Sequence, residues 1–391
     1  MPESRRLQSV QTPVIPVIAE LMRAHPGAIS LGQGVVNYGP PQSAIAEIER
    51  FLAAPANHKY QGASGTPELL ERIASKLAEE NNVRVGAAHG ARLMVTAGGN
   101  QAFFNVALAI LDPGDEVIMP APYYFNHEMA VTMANARPVS APTDANFQLD
   151  LEALRAAITP RTRAIVTVSP NNPSGAVYRE SALRAVNALC AKHGLYHIND
   201  EAYEYFTYDG ARHFSPASIS GASAHTISLY SMSKAYGFAS WRIGWMVFPA
   251  ELEAALLKVQ DTLIICPSVI SQYAALGAMR AGRSFVREKV EALAQTRATV
   301  RQELSQLERV GLAEVPPASG ALYFLLRLRS RLQPLDYVVR LVREHGVAVI
   351  PGDAFGLTQG CSLRIAYGAL EPATAVEGIG RLVAGVQAIG A

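Results

Sequence analysis

Cysteine is scarce: Cys190, Cys266 and Cys361 are the only three in 391 residues, and they are scattered singly. That spacing supports neither a disulfide framework nor a Cys-x-x-Cys metal or redox motif, and it suits a reducing compartment. An excess of either charge is also missing. The 34 basic residues against 33 acidic ones leave a formal charge of +1, which provides no field to hold a polyanion or an anionic membrane. Long apolar runs are absent as well, since nothing approaches ~18 uninterrupted apolar residues, and Arg5 and Arg6 lead into polar residues and prolines. The expectation is a soluble, cytoplasmic chain that binds neither nucleic acid nor membrane. What the chain has is apolar content, 49% against 17% charged, enough for a well-packed globular protein with one large domain and a smaller one.

Short apolar runs at residues 93–96, 116–119, 164–169, 195–200, 226–231 and 243–248 alternate with helical patterns such as 101–111 and 180–193. The runs are continuous rather than alternating, as expected for strands covered on both faces, so the class is α/β with a mostly parallel, helix-sandwiched sheet. Helical patterns at 13–23, 42–52 and 67–80 precede this block, broken by the Gly- and Pro-rich stretch 32–41. Beyond residue 250 come long helices, 284–307 above all, then strands near 321–328, 347–350 and 362–367. The expected division is an arm over 1–50 that shares in the small domain, a large domain over 51–280 and a small α+β domain over 281–391.

Four segments carry the chemistry, because open α/β sheets place ligands beyond the carboxyl ends of their strands. Thr96-Ala97-Gly98-Gly99-Asn100 turns a strand into a helix through two glycines, offering backbone N–H groups to a phosphate. Glycine at such a turn is also common without any ligand. In Ser169-Pro170-Asn171-Asn172-Pro173-Ser174-Gly175, two prolines stiffen the loop and hold both amides in place. Ile198-Asn199-Asp200-Glu201-Ala202-Tyr203 ends a strand in carboxylates with a phenol close by, and a half-buried carboxylate there needs a cationic partner. Ser231-Met232-Ser233-Lys234 follows a buried strand, with Arg242 eight residues on. Most lysines are solvated cations, but a desolvated one is disposed to lose its proton and become a nucleophile. Together these segments supply an amine for a Schiff base, a carboxylate for a ring nitrogen, a phenol and an amide for a ring oxygen, and a phosphate cradle. Those are the requirements of pyridoxal phosphate.

In order and approximate spacing, these segments resemble those of the class I aminotransferases of the aspartate aminotransferase fold type, from about Pro13 to the C-terminus. The resemblance implies fold type I, with a seven-stranded mostly parallel sheet, pyridoxal 5'-phosphate as cofactor, and transamination by a ping-pong mechanism. It assigns Lys234 as the amine that binds the cofactor and shuttles a proton, and Asp200 as the partner of the pyridine nitrogen. Asn172 and Tyr203 fall to the phenolic oxygen. Gly98, Gly99, Asn100, Ser231 and Arg242 fall to the phosphate, and Tyr124 to stacking on the ring. Tyr60 matches a tyrosine that reaches the phosphate of the neighbouring subunit, which implies a homodimer with shared active sites. Arg364 matches the bidentate clamp on the substrate α-carboxylate, aided by Asn172 and a backbone N–H at Gly34. One departure stands out: Gly98-Gly99-Asn100 lacks the hydroxyl residue that some relatives place in the phosphate turn.

Specificity for aspartate needs a second arginine, and none is assignable here. Segments 32–41, 203–210, 258–261 and 347–352 resemble a branch that handles methionine and aromatic amino acids with 2-oxo acids as partners. Tyr38, Tyr124 and Phe355 are candidates either for an aromatic side-chain pocket or for domain packing. Three rival readings carry less. Ser231-x-x-Lys234 lacks the companion motifs of penicillin-binding enzymes. His193 and His197 straddle Gly194, so no shared helical face presents them to zinc. A ligand-sensing domain on this fold would need a basic DNA-binding extension, and β-elimination on the same cofactor stays open.

Overall fold

The computed structural model describes residues 3–390. Its central sheet has seven strands, β1 (Ala91–Thr96), β2 (Glu116–Pro120), β3 (Arg137–Ala141), β4 (Thr162–Val168), β5 (Tyr196–Asp200), β6 (Thr226–Ser231) and β7 (Gly244–Pro249), in the order β1-β7-β6-β5-β4-β2-β3. Only β7 runs antiparallel to its neighbours. Strands β2, β6 and β7 are buried almost throughout, as the continuous apolar runs require. The sheet therefore matches the α/β, mostly parallel expectation. Its seventh member, β3, has no counterpart among the six apolar runs. Arg137-Pro138-Val139-Ser140-Ala141 is the edge strand, with Arg137 and Ser140 exposed, so it needs no apolar pattern and tolerates a proline.

Two cores flank the sheet. One face packs on the helix Gly99–Ile110 through Phe103 and Val106 against Met119, Leu229 and Met246. The other packs on the helix Pro67–Glu80 through Leu69, Ile73 and Leu77, beside the stacked rings of Tyr230 and Trp245. A third core joins Ile18 and Leu31 near the N-terminus to β8 (Ala313–Glu314), β9 (Tyr323–Leu328), β10 (Ile350–Pro351) and β11 (Cys361–Ala366). Burying Ile18 and Leu31 there stabilises the arm on the C-terminal part by roughly 2 kcal/mol each.

Two expectations need correction. The run 347–350 is not one strand: Val347–Ala348 pairs in parallel with Ile29–Ser30, and β10 pairs with β11 in a different sheet. The chain changes sheets at Val349, which a continuous apolar run conceals. The helix at 284–307 belongs to a longer element, Val269–Arg309, interrupted at Gly282 where φ is 66° and ψ is −165°. No single helix among the described residues is long and apolar enough to cross a membrane.

Candidate active site

The ends of β1, β4, β5 and β6 converge on a cavity of about 120 Å³. Gly98 opens the turn after β1 at φ 85°, and a Cβ there would stand 2.5 Å from Nη2 of Arg242. A Cβ at Gly244 would meet the Tyr230 carbonyl at 2.5 Å and the backbone of Gly98 at 2.9 Å. Glycine at both positions lets the turn, β7 and the arginine close on one another. The helix N-terminus at Gly99 then presents its first N–H groups beside Ser231 and Arg242 at the cavity wall. Arg242 donates to the carbonyls of Ala239 (2.8 Å) and Ala97 (3.3 Å). No carboxylate lies within 4.0 Å of it among the described residues. A guanidinium without an acidic partner, the cavity-lining Ser231 and Ser233 and a helix N-terminus make an anion site.

The loop after β4 divides its two amides. Asn171 braces the loop, its Oδ1 accepting from Ser174 N (3.0 Å) and Oγ (2.7 Å). Asn172 faces the cavity, and its Oδ1 accepts from Nη1 of Arg364 at 3.0 Å. Arg364, on β11, is 2% exposed. Nη2 donates to the Gly32 carbonyl (2.5 Å), Nε has no partner, and the guanidinium lies over the rings of Tyr323 (4.6 Å) and Phe355 (5.1 Å). Among the described residues it has no acidic partner within 4.0 Å. A buried cation held only by neutral groups is costly in isolation and suited to an incoming carboxylate.

Lys234 follows β6 and donates to the Gly34 carbonyl. Burial, then the charges of Arg364 and Arg242, lower its pKa to about 8, against a smaller opposing effect of Asp200. Asp200 closes β5. Its Oδ1 accepts from the Ala202 N–H at 3.0 Å, and its Oδ2 lies 3.2 Å from Nε2 of His127. That contact is too poorly aligned to be a hydrogen bond, so both ring nitrogens of His127 lack a hydrogen-bond partner. Where a cationic partner was expected, Asp200 thus faces an imidazole, which is stacked on Phe103 at 4.0 Å.

Tyr203 lines the cavity with its hydroxyl 2.5 Å from that of Tyr323. Tyr124 lines it too. Its hydroxyl donates to Oδ1 of Asn100 (3.3 Å) and accepts from Nδ2 of Asn126 (2.8 Å), while burial pushes the phenol up to about 12. Gly34 meets the site through its carbonyl, where a backbone N–H was expected. Tyr60 does not line the cavity and is 77% exposed. Tyr38 bonds the carbonyls of Lys234 and Ala235 and packs edge-on to Phe285, and Phe355 packs on Phe125, so of that trio only Tyr124 faces the cavity. Among the described residues no cluster of His, Cys, Asp and Glu is placed to hold a metal ion. His197 is buried, bonded to Thr167 at 2.9 Å and Asn187 at 3.2 Å.

Sequence reasoning gave no role to Ser233, inside the Ser231–Lys234 segment, and missed His127 and Tyr323. His127 lies three residues past Tyr124, but Tyr323 opens an apolar strand, and only the pairing of residues 319–321 with 206–208 brings it to Tyr203.

The arrangement suits a ligand with a phosphate at one end, an amine-reactive carbonyl near Lys234 and a carboxylate-bearing substrate on Arg364. The model of the family "Aminotransferase class I and II" matches residues 26–382. An aromatic aminotransferase of Arabidopsis thaliana is 34% identical over 396 residues, covering 98% of this chain and 96% of that protein. An aspartate/prephenate aminotransferase of Thermus thermophilus is 36% identical over 361 residues, covering 90% and 91%. A solved double mutant of Thermus thermophilus aspartate aminotransferase superposes with a TM-score of 0.89 at 33% identity, covering 98% of this chain and 100% of that one. With its fold, its site and nearly its whole length in agreement, the chain belongs to the class I and II aminotransferases and is an enzyme that transfers amino groups.

Proposed function

We propose that the cavity holds pyridoxal 5'-phosphate and that the enzyme moves an amino group between an L-amino acid, methionine or an aromatic one favoured, and a 2-oxo acid in two alternating half-reactions. The observation that carries this is a pair of cations without acidic partners: the part-buried Lys234, with its pKa lowered to about 8, and the buried Arg364 on Asn172. The donor set fits the cofactor. Gly99, Asn100, Ser231, Ser233 and Arg242 would take the phosphate, Asp200 the ring nitrogen, Asn172 and Tyr203 the ring oxygen, and Tyr124 the ring face.

When bound, the cofactor supplies an aldehyde that condenses with amines and a protonated ring that draws electrons from the substrate α-carbon. Lys234 Nζ would take the substrate's α-proton and then give it to the former aldehyde carbon of the cofactor, acting as base and then acid near neutral pH. Asp200, held by the Ala202 N–H, would face the ring nitrogen and favour its protonated form. Arg364 grips the substrate α-carboxylate in a two-pronged hydrogen bond, which fixes the α-C–H bond across the ring and selects its cleavage over that of the carboxylate. The carbonyls of Gly32 and Gly34, which meet Arg364 and Lys234, must yield when substrate arrives.

Substrate preference follows from what faces the cavity. Its lining cations among the described residues are Lys234 and Arg242, and both have tasks. A second substrate carboxylate finds no arginine of its own there, which supports apolar or aromatic substrates over aspartate. The relatives' names cover both classes. The proposal includes a cytoplasmic homodimer in which exposed Tyr60 reaches the partner's phosphate, and the division near residues 50 and 280 into arm, large and small domains.

The test supplies the holoenzyme with [α-¹⁵N]phenylalanine or [α-¹⁵N]methionine and a 2-oxo acid. Label in a new amino acid supports transfer, whereas labelled ammonia released without an acceptor means elimination. Faster turnover of aspartate than of either substrate overturns the preference. The Lys234→Ala variant should lose turnover by about 10³-fold or more while its unfolding midpoint stays in place; retained turnover would sink the mechanism.

A further inference from the structure

Tyr323 is 1% exposed at the first position of β9, and it touches three parts of the site. Its hydroxyl lies 2.5 Å from that of Tyr203, its ring carries the Arg364 guanidinium at 4.6 Å, and a Cβ at Gly34 would overlap its hydroxyl oxygen. Unlike Tyr203, it does not line the cavity.

Two phenols that share one hydrogen bond hold two protons, so one proton must point elsewhere. If Tyr203 were the donor, the proton of Tyr323 would have no acceptor, because its hydroxyl meets no other hydrogen-bonding group among the described residues. A buried hydroxyl left that way has given up water with nothing in return, which disfavours that arrangement. With Tyr323 as donor, the proton of Tyr203 is free to point into the cavity, where a ligand can accept it. The structure assigns Tyr323 as a positioning residue: its hydroxyl donates to Tyr203 and aims that phenol's proton at the bound ring oxygen, while its ring supports the carboxylate-binding Arg364. This rests on the reading that Tyr203 faces the ring oxygen of the cofactor.

A hydrogen bond donated by Tyr203 to that oxygen favours its anionic form, so losing it raises the pH at which the visible absorbance of the lysine-bound cofactor changes. The other groups around Tyr203 are Tyr124, Asp200, Lys234 and Arg364, and none is altered by Tyr323→Phe, which keeps the ring and its contact with Arg364. Purified holoenzymes of the parent, Tyr203→Phe, Tyr323→Phe and the double variant are titrated by absorbance, and the affinity of each apoprotein for pyridoxal phosphate is read by fluorescence quenching.

Tyr323→Phe should raise the midpoint by about half to one pH unit and weaken cofactor binding about threefold, with kcat down about tenfold and KM for the amino acid within twofold. The double variant should titrate as Tyr203→Phe alone, since Tyr323 acts through Tyr203. A shift in Tyr203→Phe with none in Tyr323→Phe overturns the proposal and leaves the reading of Tyr203 intact. Full additivity in the double variant overturns it too, by showing an independent path. No shift in Tyr203→Phe removes the reading itself, and the proposal with it.

Discussion

The two ends of the central sheet treat buried charge in opposite ways. At the strand starts, the Glu116 carboxylate is fully buried and accepts from Thr159 (2.6 Å), Arg137 (2.5 Å) and Arg161 (2.9 Å). Beyond the strand ends, Arg364, which β11 of the smaller sheet brings over the loop after β4, is nearly as buried but donates hydrogen bonds only to the neutral oxygens of Asn172 and Gly32. Desolvation works against both groups. Around Glu116 the opposing charges belong to the fold, so the cluster is complete without a ligand and serves stability. Around Arg364 the opposing charge is left out, so the site is complete only with an anion. An unpaired buried charge is therefore the better mark of function, and the comparison predicts which parameter each substitution moves.

The largest effect should come from Arg364→Leu. Removing the clamp deletes a two-pronged, charge-assisted contact with the substrate carboxylate, and kcat/KM for amino acids should fall by about 10³-fold. Stability should change little, because leucine removes an uncompensated buried charge while Gly32 and Asn172 can be hydrated from the cavity. Steady-state kinetics and urea unfolding on the same preparation separate the two. A large loss of stability with modest kinetic change would place Arg364 with Glu116 and erase the contrast.

How much of this was legible in the sequence differs between the same two ends. The ligand end is legible in local segments, since Gly98-Gly99, Asn172, Asp200 and Lys234 each lie at the end of an apolar run or within three residues of it, and a strand followed by small or polar residues announces a loop at the sheet's edge. The closed end was not. Glu116, Arg137, Thr159 and Arg161 come from separate elements and carry no shared spacing, so only the parallel register of β2, β3 and β4 brings them together. Tyr323 was hidden for the same reason. Its contact with Tyr203 spans 120 residues, and its place in an apolar strand disguises it as core. The edge strand β3 and the break at Val349 lacked a pattern of their own, because partial exposure in one case and a change of sheets in the other free the chain from strand periodicity.

Next in size is Glu116→Gln, which should invert the Arg364 result. Hydrogen bonds from Thr159 and Arg137 lead the effects that hold the Glu116 carboxyl down at about 2. Its ionised form therefore stabilises the fold by about 2–3 kcal/mol near neutral pH. Arg137 and Arg161 are more than half exposed and regain water when the charge is removed, which keeps the loss at the lower end for a broken buried pair. The sign follows from the lowered pKa. The contribution is fully present above the unfolded carboxyl's value near 4.5 and disappears as pH falls through about 2. Urea unfolding should show parent and variant well separated at pH 7 and converging in acid, with kcat unchanged within twofold. Equal separation at pH 7 and pH 3 would show that Glu116 is not held ionised by its neighbours.

The smallest effect concerns the repulsion between the two unpaired cations. Burial first, and Arg364 second, lower Lys234 to about 8. The rate at which the apoprotein condenses with pyridoxal phosphate, followed by stopped-flow absorbance, should rise about tenfold per pH unit below 8 and level off above it, as the free-amine fraction saturates. An ordinary lysine would keep gaining rate towards pH 10. In Arg364→Leu the bend should move upward, because one repelling charge is gone, yet remain below the ordinary lysine value of 10.5, because burial is unchanged. A bend that stays put in the variant would mean that the two cations are tuned separately, each by its own desolvation.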